Sequence, residues 1–442
     1  MSYRYAGIVS LFLSLLIILA GSNNTQLADA AQNSSSDVHP RLHDSLEEDQ
    51  SSNIPEEQVA SVADYRDISK EDARMLLAVE ERLRMTRSNI RRRIGEPFAG
   101  LSINDKLIGE ITIRTTSSGD EPIALAESES GISDIFKHEV VEHNYAELQT
   151  VKNELSAPSA EEIKERYNSV YSALDERRNA VVVGVQNEPR EAEREFREEF
   201  GDEVVARASG PSHLEDVPNS SLSCRDDSRQ HCNPLRGGTA LQPHNGGDTA
   251  YCTLGFNAYD EVYTGVPFVV TAGHCLDDST PTTHHSGSEI GDASFISTSG
   301  NADAGRIEIE EAGWEDSYYF YRLPSSQAVH VQNVHRNGTL SPGTDISISA
   351  GNSDDYMTGE VRNGDLDLEE YDLHNMLGYD MCTQDGDSGS PVVISTTAIA
   401  VHAGDYSDTL ATQPSGCYKF GSYVENVEDS VNVRIRTSGD DP

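Results

Sequence analysis

The chain has 442 residues, enough for two or more folded units with a sizeable core. Asp and Glu number 75 against 33 Lys and Arg, and the resulting net charge of −42 argues against a nucleic-acid or anionic-membrane partner. Lysine occurs only at positions 70, 106, 137, 152, 164 and 419. Such a composition fits either a protein adapted to high salt, where self-repulsion is screened, or an ordinary acidic secreted protein.

Residues 1–31 carry Arg4, the apolar run Ile8 to Ala20 and Ala28-Asp29-Ala30, a small-x-small form that signal peptidase cuts. A secretory signal is expected there; a membrane anchor is the alternative, but the run is short for about 30 Å of hydrocarbon. Residues 32–57, rich in Ser, Asn, Asp and Glu, read as a disordered linker. Ser69-Lys-Glu-Asp72 marks a helix start, and Ala73, Leu76, Leu77 and Leu83 predict a helix near 70–92. Phe98 to Thr116 has β-type patterning, with a turn at Asn104-Asp105 and Ile108, Ile111 and Ile113 in the return strand. Ser159-Ala-Glu-Glu162 reads as a capping box, and Ile163, Tyr167, Val170, Tyr171 and Leu174 predict a helix behind it. A strand over 179–185, a helix over 190–200 and a strand over 203–206 complete an α+β unit between 60 and 208. His138 and His143 stand alone in it and point to packing rather than metal binding.

The texture changes at Gly210. Short β runs separated by turn clusters follow, among them Tyr263 to Ala272, Val329 to Val334, Asp345 to Ala350, Pro391 to Val401 and Asn432 to Thr437, and they predict an all-β barrel or sandwich. All six cysteines lie beyond residue 223. In an exported chain an even count means disulfides, although spacing alone leaves about fifteen connectivities open.

Serine-dependent hydrolysis needs a nucleophile, an imidazole to take its proton and a carboxylate to hold the imidazole. Thr271-Ala-Gly-His-Cys275 follows an apolar strand, Asn301-Ala-Asp-Ala-Gly305 precedes another, and Gly386-Asp-Ser-Gly-Ser-Pro391 supplies a serine in a tight turn. The candidates are therefore His274, Asp303 and Ser388, in that order. Asp277, Asp278 and Asp292 are alternative carboxylates; the first two lie in a polar turn close behind His274. The N–H groups of Gly386 and Ser388 can point together at a developing oxyanion.

That order and those contexts resemble the chymotrypsin superfamily of serine proteases. The likeness is strongest to the bacterial streptogrisin and α-lytic protease group and covers nearly everything after about residue 230. Leu235-Arg-Gly-Gly238, Tyr251-Cys-Thr-Leu-Gly-Phe-Asn257 and Cys382-Thr-Gln-Asp-Gly-Asp-Ser388 are similar to that group's segments, while Ser390 replaces its usual second glycine. Asp387 has no Ile-Val-Gly-Gly start to pair with after cleavage, unlike in animal trypsin-like enzymes.

The resemblance implies two six-stranded antiparallel β-barrels preceded by an α+β pro-region. It implies a signal at 1–31, a linker and pro-region at 32–215 that assists folding and inhibits, and a protease domain at 216–442. It also implies the pairs Cys252 with Cys275 and Cys382 with Cys417, leaving Cys224 with Cys232, and a substrate pocket at Thr383, Asp385, His402 and Gly404. The expected protein is a secreted, monomeric, self-processing endopeptidase acting on polypeptides without a cofactor.

Two features of the pocket leave specificity open. A threonine with a histidine suits glutamate before the cut bond, whereas Asp385 nearby opposes an acidic side chain and leaves a broad or apolar preference. The acidic segment Asp354 to Asp372 reads as a solvated loop, with a calcium site as the alternative. His284-His285 reads as an exposed turn, and Asn337-Gly-Thr339 as a candidate glycan acceptor. The rival functions are a catalytically silent binding protein of the same fold, and a lipid or ester hydrolase, which usually shows the order Ser, Asp, His.

Overall fold

A computed structural model describes residues 37–38, 54–104, 107–214, 217–218, 234–243, 250–260, 266–276, 282–285, 288–310, 317–322, 327–336, 338–351, 355–406 and 417–440. The expected signal, the Cys224 and Cys232 pair, Asp277, Asp278 and Asn337 lie outside them. No helix among the described residues is long and apolar enough to cross a membrane.

The N-terminal unit begins with α1 (Glu56–Arg66) and α2 (Lys70–Ile94). Ser69 Oγ accepts the Asp72 N–H at 3.0 Å, so the start of α2 is capped as its sequence pattern predicts. The start of α1 corrects the linker reading at its end: Val59, Val62 and Ala63 bury against α2 and the rest of this unit's core. Strand β1 (Phe98–Ile103) pairs antiparallel with β2 (Ile111–Thr115), and β3 (Phe136–Val140) joins β2 in parallel. Between and after them lie α3 (Glu121–Ser130) and α4 (Tyr145–Leu155); α4 opens on a reciprocal capping box between Asn144 and Glu147.

The helix predicted from Ser159 is a second correction. Ser159 sits in a single 3-10 turn, and α5 (Glu161–Tyr167) has no side-chain cap. Asn168 then takes a φ of 50°, and Val170, Tyr171 and Leu174 continue as β4 (Ser169–Asp175). Because β4 is buried on both faces it shows no period of two, and its apolar run imitates a helical stripe. Next come β5 (Ala180–Val185), α6 (Pro189–Phe200) and β6 (Val204–Ala208), close to their predicted bounds. Two short strands follow, β7 (His213–Leu214) and β8 (Val217–Pro218).

The remainder is β-rich. Strands β9 (Ala240–Pro243), β10 (Ala250–Thr253), β11 (Phe256–Asp260), β12 (Pro267–Thr271), β13 (Thr282–His285), β14 (Ser288–Ser299) and β15 (Ala302–Glu308) build a first sheet. Its order is β8-β10-β9-β13-β14-β15-β12-β11-β22, where β22 is Val433–Ile435. This path is open among the described residues. His284 and His285 lie in β13, so the turn expected there is a strand.

The second sheet closes. Strands β16 (Asp345–Ala350), β17 (Asp355–Leu368), β18 (Leu373–Asp380), β19 (Pro391–Ile394), β20 (Thr397–Asp405) and β21 (Tyr418–Tyr423) form the ring β16-β19-β20-β21-β18-β17, and β17 returns to β16. Helix α7 (Val424–Val431) then leads into β22. The C-terminal part is thus all-β and is preceded by an α+β region; of the two expected six-stranded barrels, the second is closed, while the first is an open sheet among the described residues.

The two parts share a sheet. Strand β4 pairs antiparallel with β17 through Leu366↔Ala173 and Leu368↔Tyr171, so β4, β5 and β6 extend the barrel sheet. Val170, Tyr171 and Val182 pack with Leu366, Leu373, Met376 and Phe420 in one apolar cluster across the junction. This overturns the solvated-loop reading of residues 354–372. Most of that segment is strand, and Asp365 and Asp367 are buried beside Lys152 Nζ, 2.6 and 2.8 Å away. Charges leave water here because an ammonium compensates them.

Candidate active site

The chain leaves β12 and turns through Gly273-His274-Cys275. Glycine is required at 273 by space, since a Cβ there would lie 2.1 Å from Ser297 O and 2.9 Å from Ala304 N. Cys275 is bonded to Cys252 of β10, with their Cα atoms 6.1 Å apart, and this ties the histidine turn to a neighbouring strand.

Asp303, in β15, is completely buried. Its Oδ1 accepts the backbone N–H of His274 at 2.9 Å, and its Oδ2 lies 2.5 Å from His274 Nδ1. A carboxylate only accepts, so Nδ1 carries the proton and the neutral ring keeps its lone pair at Nε2. One side chain thereby fixes both the backbone and the tautomer of His274. Ser422 of β21 clamps Asp303 in turn: its Oγ accepts the Asp303 N–H at 2.9 Å and donates to Asp303 O at 3.2 Å. Asp292 stands elsewhere, in β14 opposite Thr282.

Ser388 lies on a turn wound by its own neighbours. Asp387 Oδ2 accepts the Gln384 N–H at 2.9 Å, Asp387 N–H donates to Gln384 O at 3.0 Å, and Ser390 N–H donates to Asp387 O at 3.0 Å. Gly386 and Gly389 take φ values of 88° and 90°, left-handed conformations suited to glycine. At Gly389 a Cβ would also meet Thr253 O at 2.0 Å. The disulfide between Cys382 and Cys417, Cα atoms 4.8 Å apart, braces the approach to this turn.

The Ser388 hydroxyl donates to Ala403 O at 2.9 Å, and Ser388 O accepts the Thr253 N–H at 2.7 Å. Cys275 Sγ lies 3.9 Å from His274 Nε2 and 3.9 Å from Ser388 O, so the histidine of the first sheet and the serine of the closed barrel meet around one sulfur atom.

No family model and no curated protein matches the sequence. Among solved structures the chain is similar to bacterial chymotrypsin-like serine proteases. A protease from Nocardiopsis is 22% identical over 46% of this chain and 99% of its own, with a TM-score of 0.36. A chymotrypsin from Cellulomonas bogoriensis is 21% identical over 46% and 99%, with a TM-score of 0.36. A structure described as a glutamic acid specific serine protease that uses a histidine triad in substrate binding is 21% identical over 46% and 100%, with a TM-score of 0.38.

The expected pocket residues divide. Thr383 and His402 are buried and adjacent, with Thr383 Oγ1 3.0 Å from His402 Nε2. Gly404 is in β20, and Asp385 is exposed to solvent. On the other side of the imidazole, Nδ1 lies 2.6 Å from Tyr379 Oη and 3.2 Å from Phe420 O, and Tyr379 Oη donates to Phe420 O at 3.4 Å. The carbonyl only accepts. A chain of donors therefore runs from Nδ1–H through the tyrosine hydroxyl to Phe420 O, and Nε2 faces the threonine. Sequence reasoning missed Tyr379 and Ser422. Both sit inside ordinary apolar strands, and nothing local distinguishes them from packing residues.

Proposed function

We propose that this chain is a secreted serine endopeptidase precursor, with a signal at 1–31, an inhibitory pro-region at 32–215 and a protease domain at 216–442. The observation that carries the reading is the pair of hydrogen bonds that His274 makes to Asp303, its backbone N–H to Oδ1 and its Nδ1–H to Oδ2, which leaves the lone pair of the neutral ring at Nε2. In the reaction, Ser388 Oγ leaves the Ala403 carbonyl, passes its proton to Nε2 and attacks a peptide carbonyl. The N–H groups of Gly386 and Ser388 receive the oxyanion. The imidazolium, stabilised by Asp303, protonates the departing amine, and water then hydrolyses the acyl-enzyme by the same route in reverse. Substrates are polypeptides, the working form is a monomer, and no cofactor takes part.

The decisive experiment is fluorophosphonate labelling of the secreted chain with a Ser388→Ala control. Labelling at Ser388, with hydrolysis of a protein substrate that the variant lacks, is expected. Absence of both in the wild type would leave a silent binding protein.

A second reading concerns specificity. The carboxylate of a glutamate before the cut bond is received by the Thr383 hydroxyl together with the His402 imidazole behind it, which Tyr379 holds in orientation. Asp385, being solvent-exposed, opposes this only weakly. A peptide library with no cleavage after Glu would return the pocket to a broad or apolar preference.

A further inference from the structure

Two hairpins from different sheets meet beside Asp303. In the first sheet, β14 turns into β15 through Gly300 and Asn301, with Ser299 opposite Ala302 and Thr298 opposite Asp303. Asp303 is therefore the second residue beyond the turn. In the barrel, β17 turns into β18 through Glu369-Glu370-Tyr371 and Asp372. The two tips exchange main-chain bonds: Gly300 N–H donates to Asp372 O at 2.6 Å, and His374 N–H donates to Gly300 O at 2.7 Å. Asn375 Nδ2 adds a bond to Asn301 Oδ1 at 3.1 Å. Further along β18, the completely buried Met376 places its Sδ 3.9 Å from Ser422 Oγ, the hydroxyl that bonds both main-chain groups of Asp303. One strand thus supports this carboxylate from two sides, at the turn ahead of it and at its clamp.

The far side of the same hairpin is held by the N-terminal unit. Strand β4 pairs with β17 opposite Leu366, Asp367 and Leu368, and Lys164 Nζ is paired with Glu369 at the tip. Asp367 Oδ1 stands between the two sides: Lys152 Nζ lies 2.8 Å away, and the Asn375 N–H donates to the same atom at 2.9 Å. Asn375 has a φ of 54°, a left-handed conformation that this bond helps to hold. We infer that the hairpin of β17 and β18 is a positioning element for Asp303, and that the N-terminal unit acts on Asp303 through it. The link is continuous, from Lys152 through Asp367 and Asn375 to the Gly300-Asn301 turn. Asp303 must meet both the N–H and the Nδ1–H of His274, so a turn that drifts loosens both bonds and leaves the imidazolium less stabilised in the transition state. That loss falls on kcat rather than on KM.

The inference rests on the protease reading for its kinetic consequence, and the test separates the two. In the full-length Ser388→Ala chain, the proton between His274 Nδ1 and Asp303 should give a strongly deshielded resonance. His374→Pro removes the N–H that bonds Gly300 O and should shift or broaden this resonance further than His374→Ala, which keeps the N–H. Lys152→Ala should move it in the same direction. With Ser388 present, His374→Pro should lower kcat on a peptide substrate at least about 10-fold below His374→Ala, with KM within about 2-fold. Asn375→Gly keeps the positive φ without strain and loses the bond to Asn301, so it should lower kcat about 3-fold and decides the matter alone if the proline variant does not fold. A resonance and a kcat that these hairpin variants leave as in the parent overturn the positioning role, while the protease reading stands. A resonance that moves in His374→Pro but not in Lys152→Ala overturns the part assigned to the N-terminal unit. A resonance that moves as expected in a wild-type chain that neither hydrolyses peptides nor takes a fluorophosphonate label overturns the protease reading and supports the positioning of Asp303.

Discussion

At the scale of single residues, Asp303 is the group on which the proposed chemistry depends most. It touches His274 twice, so replacing it by Asn has two consequences: an amide N–H can face Nδ1, and the ring then holds its proton at Nε2, where the base is needed. Asp303→Asn is expected to lower kcat by about four orders of magnitude while the fold is kept, because the amide preserves the shape between His274 and Ser422. Active-site titration with kcat measured against wild type checks this, and near-normal turnover would assign the carboxylate role to another residue. The three residues of this group were legible in the sequence because each sits in a short motif shaped by backbone need: glycine at 273 to let two strands approach, glycine at 305, where a Cβ would meet Leu276 Cδ1 at 2.5 Å, and glycines at 386 and 389 to allow positive φ. Their support was not legible. Ser422 and Tyr379 act through contacts with residues 119 and 23 positions away, and only the folded sheet brings them together.

At the scale of elements, the strand pair β17 and β18 is where the N-terminal unit is fastened. Lys152 of α4 reaches between Asp365 and Asp367; burial works against its charge, but the two carboxylates outweigh that and hold the ammonium above the usual lysine range. Asp367 is also bonded by Ser156 Oγ at 2.9 Å and by the Asn375 N–H at 2.9 Å. Lys152→Ala would leave two buried carboxylates without their ammonium, and the expected cost to docking of the N-terminal unit is about 3–5 kcal/mol. Urea titration of the full-length Ser388→Ala chain, followed by a probe in each unit, should show the N-terminal unit released first in this variant and together with the barrel in the parent. The sequence displayed these aspartates as an acidic run and invited a solvated reading, because the lysine that compensates them is more than two hundred positions away. For the same reason β4 passed as part of a helix: its partners on one edge are supplied by β17. Elements whose signals were local, such as α2, α6 and β16, were read close to their true bounds.

For the whole molecule, the contact between N-terminal unit and barrel carries groups that titrate in opposite senses. His335, on the barrel side, is almost fully buried; its Nε2 donates to Gly338 O at 2.6 Å, and Arg84 of α2 approaches Nδ1 at 3.4 Å. Burial, with the nearby Arg84 and Arg87 charges, pushes its pKa down from 6.5 to about 4. Its neutral form is therefore the folded form. In the unfolded chain the ring takes up a proton below about 6.5, so stability falls as pH drops from that value towards about 4, by a total of about 3 kcal/mol. His374 has the opposite sign. Its bond to Asp367 outweighs partial burial and raises its pKa, so its contribution is complete below 6.5 and disappears as pH rises through the folded value. Asp367, held low by His374 and Lys152 against the cost of burial, keeps its contribution until pH falls below the ordinary carboxylate range. Docking is thus strongest near neutrality, and mild acid is the condition that loosens it first, through His335. The urea midpoint of the full-length Ser388→Ala chain should fall between pH 7 and pH 4.5, and His335→Gln should remove most of that fall, since an amide can still donate to Gly338 O but takes up no proton. An unchanged pH dependence in the variant would exclude His335 as the source of the acid sensitivity. Glu80 cannot take its place: it is completely buried beside Asp345, with burial foremost in pushing its pKa up, so this carboxyl gains stability as pH falls and works against release in acid.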